Sequence, residues 1–154
     1  MLVEVGSEAP DFTLQDSNKQ KVSLSWHRGV RAVLLVFYPF AFSGTCQAEL
    51  GRLQEDLARY TAADVTILAI SVDTPYSLKV WATGQGYDFP LLSDFWPHGA
   101  VATSYGTFDE TRGMANRGTF LVDVDGIVRF AEVNEPGEPR DQTAWQHAVA
   151  ALTA

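Results

Sequence analysis

The stretch RAVLLVFYPFAFSGTCQAEL, residues 31–50, joins a continuously apolar run to a helical pattern through a short loop. The apolar run, residues 31–38, is rich in Val and Leu, as is typical of a strand buried on both faces of a sheet. The segment VTILAISVD, residues 65–73, has the same character. Because a helical pattern separates the two runs, we expect a strand–helix–strand unit with parallel strands.

The segment between the two predicted strands has the periodicity of a helix. Its apolar residues recur at alternating steps of four and three, at Cys46, Leu50, Leu53, Leu57 and Tyr60. This spacing places them on one face of a single helix. Ser43 is of a residue type that favours the N-cap, so Cys46 is predicted to lie in the first turn.

The remaining two thirds of the chain alternate between helical and extended patterns. Helices are predicted at 75–86, 98–106 and 141–152, the last with Asp141 as its N-cap, and a short extended segment at 89–94. An Asp-Gly pair at 125–126 separates two apolar runs, at 118–124 and 127–133, and predicts a β-hairpin. A parallel pair, an antiparallel hairpin and flanking helices predict an α/β thioredoxin-like sandwich with a mixed central sheet. We expect residues 1–154 to form one domain of this kind.

The composition excludes several classes of function. The chain of 154 residues has 19 acidic and 11 basic residues and a net charge of −8, which argues against binding to nucleic acid. The N-terminus has no basic region followed by an apolar one, so no signal peptide is expected. The longest apolar run is too short to cross a membrane, so we expect a cytoplasmic protein that binds no membrane.

The sequence contains no pattern for a metal or a cofactor. Its three histidines, His27, His98 and His147, are not at ligand spacing, and neither a phosphate-binding nor a dinucleotide-binding glycine motif is present. We therefore expect no metal site and no cofactor. One cysteine excludes an internal disulfide and a Cys-x-x-Cys dithiol.

The single cysteine, Cys46, has two interpretations. A buried cysteine can simply fill the core as a small apolar side chain. A cysteine in the first turn of a helix, after a strand-to-helix loop, instead lies where free backbone N–H groups and the helix dipole stabilise an anion. Because the thiolate is the nucleophilic form, the second interpretation makes Cys46 a candidate for catalysis.

The residues around Cys46 resemble a known family. Pro39, Ser43 and Cys46 match the Pro-x-x-x-(Thr/Ser)-x-x-Cys motif of the peroxiredoxins, although Thr is commoner than Ser at the middle position. The segments GSEAPDFTL at 6–14 and NRGTFLVDVDGIVRF at 116–130 also resemble segments of this family. The sequences of several segments are most similar to those of the AhpE-type one-cysteine peroxiredoxins, whose fold is thioredoxin-like.

The resemblance implies a role for each residue of the predicted site. Cys46 would attack a peroxide oxygen, Pro39 would shield the thiolate, and Ser43 with the Thr45 and Cys46 amides would hold the peroxide. Arg117 would stabilise the thiolate and the developing negative charge, and Glu49, one turn after Cys46, would orient an arginine. From the residues alone, a surface arginine is the favoured interpretation of Arg117, and Glu49 could equally be part of a solvated helix face.

The resemblance also implies an activity and its partners. It predicts a thiol-dependent peroxidase for hydrogen peroxide and organic hydroperoxides, with peroxynitrite as a further candidate substrate. With no second cysteine, an external thiol must reduce the oxidised Cys46; mycothiol with a mycoredoxin, or a thioredoxin-like protein, is the expected reductant. A homodimer or higher homo-oligomer is also expected. A redox sensor and a non-catalytic scaffold of thioredoxin fold remain as alternatives.

Overall fold

A computed structural model describes residues 2–153 of the chain, which form a mixed sheet with helices on both faces. The strands are β1 (Thr13–Asp16), β2 (Lys21–Ser23), β3 (Ala32–Phe37), β4 (Val65–Ser71), β5 (Leu91–Ser93), β6 (Phe108–Asp109), β7 (Met114–Ala115), β8 (Arg117–Val122) and β9 (Val128–Asn134). The helices are α1 (Gly44–Glu55), α2 (Leu57–Ala62), α3 (Pro75–Gln85), α4 (Ala100–Ser104) and α5 (Gln142–Ala151), with a 3-10 turn at Leu24–His27.

The predicted strand–helix–strand unit forms the centre of the sheet. Strands β3 and β4 pair in parallel, with Ala32 opposite Val65 and Phe37 opposite Ile70. The seven-stranded sheet has the order β2-β1-β5-β4-β3-β8-β9, in which β5 is parallel to β4 and β8 is antiparallel to β3. The mixed sheet and flanking helices of the predicted thioredoxin-like sandwich are thus confirmed.

The continuous apolar run of β3 contributes side chains to two separate cores. All six of its residues are buried, and successive side chains point to opposite faces of the sheet. Leu34 and Val36 belong to the core under α1, α3 and α5, together with Trp81 and Trp145. Val33, Leu35 and Phe37 belong to the core on the α4 side. The central strand has no solvated face, which explains why its sequence shows no alternation.

The segment predicted as a single helix through Cys46 and Tyr60 is divided in two, so that prediction was wrong. Asp56 lies between α1 and α2 with φ −96° and ψ 5°. Its carboxylate accepts hydrogen bonds from Arg52 Nε at 2.9 Å and Gln146 Nε2 at 3.2 Å, and Asp is a weak helix former. The predicted apolar face persists across the break, because Leu50, Leu53 and Tyr60 are all fully buried in one core.

The other predicted elements are present, with shifts of a few residues at their ends. The helix predicted at 75–86 is capped by the Thr74 hydroxyl and ends at Gly86 in the left-handed conformation. The predicted hairpin is formed by β8 and β9, with a register shift between Leu121 and Val122. The helix predicted at 98–106 is shorter, and the one at 141–152 begins after Asp141, whose carboxylate accepts the Thr143 N–H.

Two hairpins were not predicted. Strands β1 and β2 extend the sheet beyond β5, and β6 and β7 form a separate two-stranded ribbon. Each of these strands has only two to four residues, too few for a pattern of alternating polar and apolar residues to emerge. Among the described residues, no helix is long and apolar enough to cross a membrane. Residues 2–153 also contain no cluster of three or more His, Cys, Asp or Glu side chains that could hold a metal ion.

Candidate active site

Cys46 lies at the carboxyl end of the central parallel strands. It is the third residue of α1, directly after the loop that follows β3, and its side chain is fully buried. The first helical hydrogen bond is donated by Gln47 N–H to the Ser43 carbonyl. Within residues 2–153, the N–H groups of Thr45 and Cys46 donate to no acceptor. The free N–H groups and the helix dipole therefore both favour a negative charge at this turn.

Arg117 contacts the sulfur directly. Its Nη1 lies 3.4 Å from Cys46 Sγ, and its Nε donates to the Pro136 carbonyl at 2.7 Å. The residue is the first of β8 and is only 2% exposed, which rules out the alternative of a surface arginine. A guanidinium in this position donates a hydrogen bond to the sulfur and places a positive charge beside it.

Glu49 lies beneath the sulfur and binds two arginines. The same Arg117 Nη1 donates to Glu49 Oε1 at 2.8 Å. Arg140 donates to both carboxylate oxygens, from Nη2 at 2.7 Å, from Nε at 3.2 Å and from its backbone N–H at 2.8 Å. Glu49 is buried, so the alternative of a solvated helix face is wrong. The bidentate pair suggested for Glu49 is made with Arg140, while Arg117 takes a single bond.

Arg140 was not predicted, although it is the most completely bound side chain of the site. Its side chain is fully buried, and its Nη1 also donates to the Phe37 carbonyl at 2.7 Å and the Gly118 carbonyl at 3.0 Å. It thus joins the end of β3, the start of β8 and α1. The sequence around it, GEPRD, has no periodicity, and Glu49 is 91 residues away. A buried arginine in a loop leaves no local pattern by which it could be found.

The charges of this cluster balance only when the sulfur is ionised. Arg117 and Arg140 carry two positive charges and Glu49 one negative charge, so a Cys46 thiolate makes the group neutral. Burial by itself would raise the pKa of Glu49, but the hydrogen bonds and charge of Arg140, with the charge of Arg117, lower it below its ordinary value. Burial lowers the pKa of Arg140 against the opposing effect of Glu49, yet an arginine stays protonated.

The loop between β3 and α1 carries the other predicted residues. Pro39 is buried, and the Ser43 hydroxyl is buried with no hydrogen-bond partner among the described residues. Ser43 occupies the N-cap position, as predicted, but its side chain makes no capping bond. Phe42, just before it, has φ +70°, an uncommon conformation for a bulky residue. The hydroxyl is thus free to bind an incoming polar ligand.

Thr45 is the predicted residue with the fewest contacts. Its side chain is half-buried and makes no hydrogen bond within residues 2–153. It lines an open groove of about 540 Å³ that runs between the first turns of α1 and the segment before α5. The groove also reaches Glu49 and Arg140, so it borders the charged cluster.

The arrangement as a whole is suited to nucleophilic attack by sulfur. A buried thiol is paired with a guanidinium, a free hydroxyl lies three residues before it, and two backbone N–H groups are unoccupied. These donors can hold an anionic oxygen while the sulfur attacks its neighbour. Arg117 is therefore brought into contact with Cys46 and Glu49 from a distant part of the chain, and Pro39 and Ser43 lie in the loop that leads into the same helix.

Comparisons with known proteins agree on one family. Residues 5–131 match the AhpC/TSA family. The chain is 57% identical over 153 residues to alkyl hydroperoxide reductase E of Mycobacterium tuberculosis, a match that covers 99% of this chain and all of that protein.

Solved structures give the same result. The AhpC of Enterococcus faecalis superimposes with a TM-score of 0.89 at 28% identity, covering 99% of this chain and 93% of that one. The reduced 2-Cys peroxiredoxin of Plasmodium vivax also gives a TM-score of 0.89, at 26% identity, covering 98% of this chain and 82% of that one.

Proposed function

This chain belongs to the AhpC/TSA family of peroxiredoxins and is a thiol-dependent peroxidase, and on that premise we propose that Cys46 is the nucleophile that accepts the peroxide oxygen. The observation that carries the proposal is the 3.4 Å contact between Arg117 Nη1 and Cys46 Sγ inside a buried, charge-balanced cluster. A cysteine that only filled the core would need no guanidinium beside it.

The proposed reaction transfers one oxygen atom to sulfur. The Cys46 thiolate attacks the terminal oxygen of a hydroperoxide; the S–O bond forms as the O–O bond breaks. The leaving oxygen takes a proton, so the products are a Cys46 sulfenic acid and an alcohol, or water when the substrate is hydrogen peroxide. Hydrogen peroxide and organic hydroperoxides are the proposed substrates, and peroxynitrite, which has the same O–O bond, is a further one.

The neighbouring residues are proposed to act on the breaking bond. The Arg117 guanidinium, the Ser43 hydroxyl and the Thr45 and Cys46 N–H groups stabilise the negative charge that develops on the two oxygens. Pro39, which is buried in the β3–α1 loop, is proposed to exclude water from the thiolate. Glu49 holds Arg117 in place through the 2.8 Å bond, so its role is positional.

The sulfenic acid must be reduced from outside the chain. Cys46 is the only cysteine, so a second thiol has to come from another molecule. A thiol RSH condenses with the sulfenic acid to give a mixed disulfide and water, and a second thiol then releases Cys46. We propose mycothiol with a mycoredoxin, or a thioredoxin-like protein, as the reductant. We propose a cytoplasmic location, because thiols are kept reduced in that compartment.

The decisive experiment is the substitution Cys46→Ser. Hydroperoxide consumption with an external thiol should fall more than a hundredfold, since a hydroxyl is a far weaker nucleophile, while the circular dichroism spectrum stays that of the wild type. Thr45→Ser, an equally small change at the preceding position that leaves the backbone N–H of residue 45 in place, is the matched control and should retain activity. A Cys46→Ser variant that consumed peroxide at more than about a hundredth of the wild-type rate would refute the proposal.

The sensor and scaffold alternatives give different outcomes in one measurement. Stopped-flow oxidation of Cys46 by hydrogen peroxide and by an organic hydroperoxide would be fast for a peroxidase and negligible for a scaffold. A sensor would be oxidised once, with slow turnover and a large structural change. Because the sulfenic acid has no partner cysteine in its own chain, one equivalent of peroxide followed by a small thiol should give one thiol adduct per chain by intact mass.

A homodimer or higher homo-oligomer is proposed for the assembly. Exposed apolar side chains lie in the β3–α1 loop and on the adjoining helix α3, at Phe40, Phe42, Tyr76 and Val80. Exposed apolar surface of this kind favours association. Sedimentation velocity at micromolar concentration should show more than one chain per particle, and Val80→Lys should shift the distribution towards the monomer. A wild-type protein that stays monomeric would contradict the proposal.

A further inference from the structure

The β3–α1 loop, residues 38–43, has very few hydrogen bonds of its own. Its first N–H, that of Tyr38, donates to the Ile70 carbonyl at 3.0 Å. Pro39 has no N–H. Of the next four N–H groups, in residues 40–43, only that of Ala41 has an acceptor among the described residues. That acceptor is Asp73 Oδ2, at 2.8 Å.

Asp73 is itself fixed by the ends of two strands. It follows β4, and its Oδ2 also accepts the Ser71 hydroxyl at 2.7 Å. Its backbone N–H donates to the same Ser71 oxygen at 3.3 Å, and its carbonyl accepts the Ser93 hydroxyl at 2.6 Å. Ser71 and Ser93 are both buried, so β4 holds the carboxylate of Asp73 and β5 holds its backbone.

The single bond from Ala41 lies in the middle of the loop's functional residues. Pro39 is two positions before it, and Ser43, whose hydroxyl is buried without a partner, is two positions after it. Phe42 follows Ala41 directly and has the uncommon φ of +70°. A loop held in such a conformation needs contacts that keep it there. Among the described residues, the Asp73 carboxylate is the only acceptor for a backbone N–H of residues 40–43.

We propose that Asp73 is a positioning residue of the peroxidase site, which holds the β3–α1 loop so that Pro39 and Ser43 face the sulfur. Asp73 does not contact Cys46 and takes no part in the oxygen transfer. Its effect is on the geometry of the peroxide: a displacement of about 1 Å in the loop removes the Ser43 hydroxyl from the peroxide oxygens and opens the sulfur to water.

The test compares two reactions of the same sulfur. Oxidation by hydrogen peroxide needs the loop donors in place, whereas alkylation by iodoacetamide needs only an accessible thiolate. Asp73→Ala should slow oxidation by roughly 10- to 100-fold, the cost of a misplaced reacting group, and should leave alkylation unchanged or faster. Asp73→Asn keeps an oxygen that can accept the Ala41 N–H and should recover most of the oxidation rate.

Asp88→Asn is the matched control. Asp88 is exposed, lies after α3 and bonds to Gln54 Nε2 at 2.8 Å, outside the site, so both rates should match the wild type. The proposal is overturned if Asp73→Ala oxidises within about threefold of the wild type, or if alkylation falls as much as oxidation, which would mean that only the thiolate was affected. If Asp73→Ala does not fold, Ser71→Ala is the deciding variant, because it removes the hydrogen bond from the Ser71 hydroxyl to the Asp73 carboxylate. If the ratio of the oxidation rate to the alkylation rate is then the same as in the wild type, the proposal is refuted.

Discussion

At the scale of single residues, the site depends on one carboxylate that binds two buried arginines. Glu49 binds Arg117 and Arg140 with side-chain bonds of 2.7–3.2 Å, and all three residues are nearly inaccessible to solvent. A buried charge that loses its partner costs far more than the pair contributes. The cluster therefore acts as a unit, in which a change at Glu49 reaches Cys46 through Arg117.

Glu49→Gln should destabilise the protein strongly. The neutral amide leaves two buried guanidinium groups without the carboxylate that they share, so we expect a loss of about 3–5 kcal/mol in the free energy of unfolding. Urea denaturation at neutral pH measures it. Glu55→Gln, on the exposed side of the same helix, is the control and should change the free energy by less than about 0.5 kcal/mol. A Glu49→Gln variant as stable as this control would show that the cluster is not electrostatically coupled.

Arg117→Met should slow the oxidation of Cys46 in a way that alkaline pH does not repair. If the guanidinium only favoured the thiolate, raising the pH would ionise the sulfur and restore the rate. Because Arg117 also stabilises the charge on the peroxide oxygens, we expect a residual loss of 10²–10³ at every pH, the usual cost of one such donor. Stopped-flow rates from pH 6 to 10 test this, with the exposed Arg129→Met as control. Full recovery at high pH would remove the transition-state role.

At the scale of elements, the sequence predicts what is local and misses what is not. The apolar runs of β3 and β4, the Asp125-Gly126 hairpin and the position of Cys46 in the first turn of α1 follow from periodicity, turn chemistry and capping residues. Arg140 does not, because its partners come from three distant elements. The break at Asp56 also escapes prediction, since the contact with Gln146 that accompanies it lies 90 residues away.

Strand β8 has little room for a side chain at Gly118. A Cβ there would lie 2.5 Å from Thr107 Oγ1 and 2.9 Å from Thr107 Cβ, in a fully buried contact. Gly118→Ala should therefore cost about 1–3 kcal/mol of unfolding free energy, as overpacking does, and should also displace the adjacent Arg117. Both effects are measurable, by urea denaturation and by the rate of Cys46 oxidation.

Gly84→Ala is the matched control for that change. Gly84 lies inside α3, and a Cβ there would meet no atom within 4 Å. Because Ala is the better helix former, this variant should gain about 0.5–1 kcal/mol and retain the wild-type oxidation rate. Equal effects of the two substitutions on stability would mean that Thr107 leaves room for a Cβ at position 118.

At the scale of the whole molecule, two apolar cores share one sheet, and the charged cluster lies where the sheet ends. Both cores contain residues of β3, and the carbonyl of its last residue, Phe37, accepts from Arg140. The site is thus attached to a strand whose residues are all buried. Because the stability of the sheet and the geometry of the site share this strand, conditions that discharge the buried carboxylates should act on both.

Acid should destabilise the protein because two carboxyl groups have lowered pKa values. In Glu49 the effect of burial is outweighed by Arg140 and Arg117; in Asp123 it is outweighed by the backbone N–H of Ile127 and by Arg129. The unfolded chain takes up these protons first, near the ordinary values of 4.5 and 3.8, so the free energy of unfolding falls as the pH drops through those values and then through the lower folded ones.

One buried carboxyl group, that of Asp94, has the opposite effect on the stability in acid, so the contributions of the individual carboxyl groups can be measured separately. Burial raises the pKa of Asp94 despite the N–H groups of Ala102 and Val101 that bind it, so the folded state takes up that proton first and gains stability in acid. In urea denaturations from pH 7 to 3, Asp123→Asn should reduce the loss of stability and Asp94→Asn should increase it. Each proton bound in excess by the unfolded state changes the free energy by about 1.4 kcal/mol per pH unit. An Asp123→Asn variant with the wild-type dependence would show that this carboxylate is no more acidic in the folded chain than in the unfolded one.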